Sequence, residues 1–479
     1  MLGFRKKKAK KPVGPVTNLG VGYNLLKPEI HAVINLPDSH RKRHFWCFGT
    51  TGVGKSRLIE HIVEQDIRKG YSTVVMDPKG DQELFAKIVQ IAREAGREED
   101  LILVTPIFPD YSAIIDPLSS HFMKEELVAH ICAGVQVGRD PFFFNVAYQV
   151  SLLVTEALSL MAEYAGEKWS FNLNDVKKHI SHTALKNLKD QIDILDTKEA
   201  NELALDIGRV LENPPDYFSK IANSLDVALT ELTRGNIGQI IGQADDNRFI
   251  KRLQAGKGVI MVVQLGSLLT KKAAFTAGKV LISMLQGYVG RVYAAGKTIQ
   301  PALSLHIDEA QSVLYQGIED LFAKGGSANL YISGYCQSVN QLFSELPEDR
   351  AKSILDLCNT KLFMRVPDAD TAEYVSSHLG EDVKYSPMMS LGGGLTIREV
   401  EEQRVKPSEV LQMNNQEFFL MTYQGLFRGK TAHVNSARIE VVFPDLEGQK
   451  KDSVNDGLKA WGADLEGFVL AQREAVANG

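Results

Sequence analysis

Gly49-Thr50-Thr51-Gly52-Val53-Gly54-Lys55-Ser56 fits the spacing G-x-x-x-x-G-K-[ST]. It stands between the apolar residues 44–48, which read as a strand, and residues 57–70, which read as a helix beginning at the loop. In that setting the glycines let backbone N–H groups converge on phosphates, and the helix N-terminus adds a partial positive charge. Lys55 would reach the β- and γ-phosphates of ATP, and the Ser56 hydroxyl would ligate Mg²⁺. Arg57, next in line, is counted with the nucleotide-binding run 49–56. Strand, phosphate loop and helix in this order predict an α/β P-loop NTPase.

Working outward, residues 72–76 (STVVM) and 101–104 (LILV) read as buried parallel strands separated by a helix over 82–95. That alternation is the pattern of a doubly wound sheet. From 121 to about 243 helical periodicity takes over, with Pro214-Pro215 as punctuation, and an all-helical insertion is expected. Strand-like runs return at 259–265, 303–307, 330–334 and 362–366. The expected order is a basic lead-in 1–43, an α/β nucleotide-binding domain split into 44–120 and 250–444, an all-alpha domain 121–249, and a polar tail 445–479. Residues 417–423 and 438–443 are expected as a closing hairpin or edge strands, and a short amphipathic helix is expected near 454–476.

The strand 303–307 ends in Asp308-Glu309. Beside a phosphate loop, the first acid of such a pair holds Mg²⁺ and the second orients and deprotonates the attacking water. On its own, a strand ending in two acids is a solvated strand terminus. Asp77 and Lys79, in the turn Met76-Asp77-Pro78-Lys79-Gly80-Asp81, follow the second strand, and ligands bind beyond the carboxyl ends of parallel strands. A tight turn built by Pro78 and Gly80 is the plainer reading. Gln337, after the strand 330–334, is a candidate contact to the γ-phosphate or the water, or simply a strand cap. Lys271 and Lys272, in a loop after the strand 259–265, read either as channel-lining groups for a nucleic-acid backbone or as a solvated helix start.

With 479 residues, 44% apolar and 24% charged, the chain has the composition of a globular protein of two or three domains. A net charge of −5 argues against a protein that coats nucleic acid over its whole surface, though not against a basic channel inside a ring. Cys47, Cys132, Cys336 and Cys358 lie far apart without a C-x-x-C pair, so reduced thiols are expected, not a zinc site. The apolar stretch 145–165 is interrupted by Gln149, Thr155, Glu156 and Glu163 and reads as a core helix, so no transmembrane segment is expected. Arg5, Lys6, Lys7, Lys8, Lys10 and Lys11 form a basic start, either a solvated tail or a contact for anionic lipid or nucleic acid.

Taken together, the motifs resemble the type IV coupling proteins of bacterial conjugation, especially the TraD/TraG ATPases of the FtsK/HerA group. The resemblance runs through GTTGVGKS (49–56), VMDPKGD (75–81), SLHIDEA (304–310), GYCQSVNQL (334–342), ILDLCNTKLFMRVPDADTAEYVSSHLG (354–380) and RVKPSEVLQMNNQEFFLM (404–421). The stretch YFSKIANSLDVALTELTRGNIG (217–238) is similar to that family's all-alpha domain. The resemblance implies a RecA-like motor, assembled as a homo-hexamer at the cytoplasmic face of the inner membrane. Such a motor passes relaxase-bound DNA, single- or double-stranded, or protein substrates to the ATPases and inner-membrane components of a type IV secretion channel. By motif, Lys55 and Ser56 would bind phosphates and Mg²⁺, Asp308 and Glu309 would serve metal and water, and Gln337 would be the sensor. Two departures stand out. Most relatives begin with transmembrane helices, and the arginine some of them carry after the acidic strand is replaced here by Leu321-Phe322-Ala323-Lys324-Gly325-Gly326. Lys324, Arg350 and Arg365 are the candidates for that trans-acting cation. A chromosomal translocase of the FtsK/HerA group and an ATP-dependent docking platform for secreted proteins are the alternatives.

Overall fold

Runs of apolar residues in this chain become strands covered on both faces, as parallel strands require. The computed structural model describes residues 14–135, 142–166, 171–389 and 395–443. The chain divides into a unit of Met1–Arg438 and a second of Ile439–Gly479, and of the second only residues 439–443 fall within that description. The basic start and the helix expected at 454–476 lie outside the described residues.

The chain opens with β1 (Val16–Asn24) and β2 (Lys27–Pro37), then the short helix α1 (Asp38–Arg41). There follow β3 (Phe45–Phe48), α2 (Lys55–Arg68), β4 (Ser72–Asp77), α3 (Gln82–Glu94) and β5 (Leu101–Val104). From there to β6 (Ile260–Gln264) the described chain carries helices and no strand, among them α4 (Lys124–Ala133) and α5 (Phe142–Tyr164). The helix Lys198–Leu211 shows why: Thr197 Oγ1 accepts from Ala200 N at 3.1 Å, and Ala200, Leu203, Ala204, Ile207 and Val210 bury one face. A cap of this kind contributes about 1 kcal/mol. α5 is long and apolar enough to cross a bilayer by length and composition, with 50% of its most apolar window buried inside the fold.

After α6 (Ser267–Ala294) come β7 (Leu303–Ile307), β8 (Leu330–Cys336) and β9 (Thr360–Phe363). β10 (Glu381–Met389) and β11 (Leu395–Gln403) form a separate two-stranded sheet, and β12 (Glu417–Thr422) and β13 (Gly425–Thr431) follow. The main sheet has 11 strands in the order β2-β1-β13-β12-β9-β3-β8-β7-β4-β6-β5. From β9 to β5 all neighbours are parallel, and the four strands beyond β9 are antiparallel.

One expected strand is corrected. Residues 438–443 carry no strand, and the partner of β12 is β13, reached through the two-residue connection Tyr423-Gln424 with Thr422 opposite Gly425. A connection that short leaves the next residues no option but to pair.

At the core of the parallel sheet Trp46, Phe48 and Phe363 are fully buried, with the last two rings stacked at 6.0 Å. Each such side chain contributes about 1.5–3 kcal/mol by burial. Gly334 on β8 lets Trp46 in, since a Cβ there would lie 2.4 Å from the indole Cζ3. All four cysteines are buried free thiols, as expected from their spacing.

Candidate nucleotide site

β3 lies between β9 and β8, and β7 is the next strand beyond β8, so three loops leave neighbouring strand ends on one rim of the sheet. The first is the phosphate loop. Gly49 N donates to Cys336 O at 3.1 Å and Thr50 N to Arg365 O at 2.8 Å, which ties the loop to β8 and to the chain after β9. Gly54 caps α2 in the left-handed region (φ 111°), where a side chain would be strained. Lys55, 8% exposed, donates through Nζ to the carbonyls of Gly49 and Thr50. Ser56 follows, half-buried, in the first turn of α2. That helix is held in place by Leu58, Ile59, Ile62, Val63 and Ile67 on its buried face. The guanidinium of Arg57 faces elsewhere, bonded to Glu60 at 2.9 Å, to Glu83 at 2.5 Å and to Ser436 at 3.2 Å.

The acidic pair stands at the end of β7. Asp308 N donates to Met76 O at 3.0 Å, joining β7 to β4. Desolvation pushes the Asp308 carboxyl up to about 6, Glu309 and Asp77 add to the rise, and Lys79 opposes it. Glu309 adopts a left-handed backbone (φ 44°) and accepts from Lys79 Nζ, from Gln337 Nε2 at 3.1 Å and from Gln311 Nε2 at 2.7 Å. Burial alone would raise its carboxyl, but the hydrogen bonds and charge of Lys79, with Gln311 and Gln337, hold it below its ordinary value. Burial would in turn lower Lys79, and the bond to Glu309 together with the charges of Glu309, Asp308 and Asp77 outweighs it, leaving the ammonium raised.

Asp77 serves the turn: its carboxylate accepts from Lys79 N at 3.0 Å and from Asp81 N, with desolvation keeping its carboxyl above the ordinary range. The same turn is bonded to the chain after β6, through Ser267 N to Pro78 O at 2.7 Å.

Burial lifts the Cys47 thiol on β3 to about 12 and also raises that of Cys336 on β8. The donor set suits a magnesium ion only in part by itself. Among the described residues no three His, Cys, Asp or Glu side chains converge to hold a metal. Mg²⁺ characteristically takes one or two protein oxygens and completes its shell with phosphate and water, and the Asp308 carboxylate at the end of β7 would supply one such oxygen.

Two residues at the site, Gln311 and Gln416, were not singled out from the sequence. Gln311 orients Glu309. Arg365, a candidate from the sequence for a cation acting in trans, receives the Thr50 amide on its carbonyl and directs its guanidinium to Met413 O and Asn415 Oδ1 of its own chain. Gln416 donates its backbone N–H to Val53 O at 2.8 Å, and a Cβ on Gly54 would come within 3.3 Å of its Cγ. The run MNNQ carried no chemistry of its own that would have marked it. Lys324 pairs with Asp320 at 2.8 Å and Arg350 with Glu319 at 3.6 Å. Lys271 and Lys272 lie within α6, not in a loop, just after a non-helical Thr270 (φ −141°, ψ 59°). Lys272 pairs with Glu231 at 2.8 Å, and the Lys271 ammonium lies over the Phe275 ring.

Behind the rim, fully buried, Arg41 forms two hydrogen bonds to Asp66, one to each carboxylate oxygen. Ser304 Oγ donates to Asp66 at 2.6 Å, and His306 on β7 lies 3.0 Å from the same oxygen and 3.3 Å from Tyr335 OH on β8. This network ties α1 and α2 to the two strands that deliver Glu309 and Gln337.

Comparison with known proteins adds to this geometry. Residues 19–280 match the family described as the central domain of the helicase HerA, and residues 302–415 match the TraM recognition site of TraD and TraG. A stretch of 63 residues, 13% of this chain, is 35% identical to the type 4 coupling protein DotL of Legionella pneumophila; it spans 8% of that protein's length. Among solved structures, the bacterial conjugative coupling protein TrwB in an unbound form superposes with a TM-score of 0.66 at 17% identity, over 86% of this chain and 89% of that one. TrwB in complex with the ATP analogue ADPNP gives 0.64 at 17% identity, over 90% and 99%, and TrwB with ADP and Mg²⁺ gives 0.62 at 17%, over 86% and 89%. At these identities the superpositions speak for a shared fold.

Proposed function

Because the chain belongs to the TraD/TraG type IV coupling proteins, within the HerA helicase family, we propose that it is an ATP-hydrolysing motor. It works as a homo-hexamer that feeds a relaxase-bound DNA strand to a type IV secretion channel at the cytoplasmic face of the inner membrane. The observation that carries the reading is the meeting of the phosphate loop, Glu309 and Gln337 at the ends of β3, β7 and β8. In this reading residues 44–120 and 250–444 form the nucleotide-binding domain and 121–249 the all-alpha domain.

The loop amides and Lys55 bind the phosphates of ATP, and Ser56 and Asp308 hold Mg²⁺. The ion, when bound, neutralises charge on the phosphate oxygens. Glu309 takes a proton from the attacking water while the water oxygen bonds to the γ-phosphorus and the bond to the β–γ bridging oxygen breaks. Gln337 and Gln311 keep the Glu309 carboxylate aimed. The ADPNP, GDPNP and ADP–Mg²⁺ complexes of TrwB support a purine nucleotide and magnesium as ligands.

The test is ATP turnover measured against protein concentration, with and without single-stranded DNA. We expect a steeper-than-linear rise with concentration and a further increase with DNA, as sites shared in a ring produce. Constant specific activity that ignores DNA would remove the motor and leave an ATPase that serves only as a docking platform.

A further inference from the structure

We infer that Lys79 is a positioning residue that holds Glu309 out of catalysis, so that hydrolysis waits for the Lys79 ammonium to leave Oε1. The inference rests on the reading of Glu309 as the base.

Glu309 is surrounded by donors. Lys79 and Gln337 both donate to Oε1, and Gln311 donates to Oε2. With both lone pairs of Oε1 taken, a water that meets Glu309 on that oxygen must displace a donor before its own proton can approach. Two of the three donors are fixed by their attachment. Gln311 sits two residues along the same 3₁₀ turn, and Gln337 follows the buried strand β8, its own N–H bonded to Gln341 Oε1 at 3.1 Å.

Lys79 differs. It reaches Glu309 on a flexible four-carbon stem from the turn after β4, and its side chain is 48% exposed. An ion pair with one partner so exposed is weak, and the ammonium can leave at little cost. Its main chain need not move when it does, since the Asp77 carboxylate anchors the N–H groups of Lys79 and Asp81, and Ser267 N anchors Pro78 O. Once the ammonium turns out to solvent, Glu309 is held by two amides that aim it without blocking it. The arrangement makes the acid competent only after a cation has been drawn away.

The experiment compares wild type, Lys79→Ala and Lys79→Arg, reading kcat and KM for ATP together with the equilibrium affinity for a fluorescent ATP analogue. Lys79→Ala is expected to raise kcat about two- to fivefold, the factor corresponding to an exposed ion pair, with KM and affinity unchanged. Lys79→Arg keeps a cation on Glu309 and is expected to stay near the wild-type rate. A Lys79→Ala kcat at or below wild type, or an affinity weakened tenfold, would assign Lys79 to phosphate binding and overturn the inference. The wild-type rate separates the two failures: an idle wild type removes the hydrolase reading and this inference with it. An active wild type with an unaccelerated Lys79→Ala removes this inference alone.

Discussion

Glu309→Gln binds ATP as tightly as the wild type and turns it over about 10²- to 10⁴-fold more slowly, the range typical of a lost general base. The substitution is nearly isosteric, and a glutamine Oε1 still accepts from Gln337 and Lys79, so the fold around the 3₁₀ turn is kept. What is lost is the capacity to take up a proton. Affinity is unaffected because the phosphate loop, Lys55 and Ser56 are untouched. Nucleotide affinity by titration and kcat by phosphate release separate the two effects, and a variant with undiminished kcat would place the base on another group.

Arg41→Met destabilises the protein by about 3–5 kcal/mol, because Asp66 is left as a buried charge without its partner. That is a large share of the roughly 5–15 kcal/mol available to a folded domain. Burial alone would raise the Asp66 carboxyl; the Arg41 charge and hydrogen bonds, with help from His306, drive it well below the ordinary range instead. A carboxyl depressed in the folded state contributes stability that is present above its unfolded value, near 3.9, and lost as pH falls toward the folded one. The gap between wild type and Arg41→Met is therefore widest at neutral pH and narrows below about pH 4. Urea unfolding at pH 7 and pH 3 measures both. A variant as stable as wild type at pH 7 would show that Ser304 and His306 suffice to hold Asp66.

The parallel half of the sheet was legible because each of its strands is an apolar run bounded by turn residues, as in residues 101–104 and 303–307, and the structure returns those two with the same limits. The antiparallel half was not. β2 mixes Lys27, Glu29 and His31 with exposed Ile30 and Val33, so it has no alternation to read, and its neighbour β1 pairs with β13, some 400 positions away. β13 itself, GLFRGKT, carries two glycines and two cations, which weakened it against the more apolar residues 438–443. In the site, residue types at motif spacing pointed to Lys55, Asp308, Glu309 and Gln337. The left-handed turn at Glu309 and the approach of Gln416 to Gly54 depend on pairings between distant segments, and no local pattern announces them. The Arg41–Asp66–His306 network was silent for the same reason, each member being an ordinary residue until three elements bring them together.

The central claim is that ATP binds at the loop 49–56 through Lys55. Titration of labelled ATP with magnesium against wild type and Lys55→Ala tests it most directly. Saturable binding at one nucleotide per chain by the wild type, weakened about 10- to 100-fold in Lys55→Ala as loss of a charged hydrogen-bond donor implies, is the predicted result. Equal affinity in the two proteins, or no binding by the wild type, would contradict it.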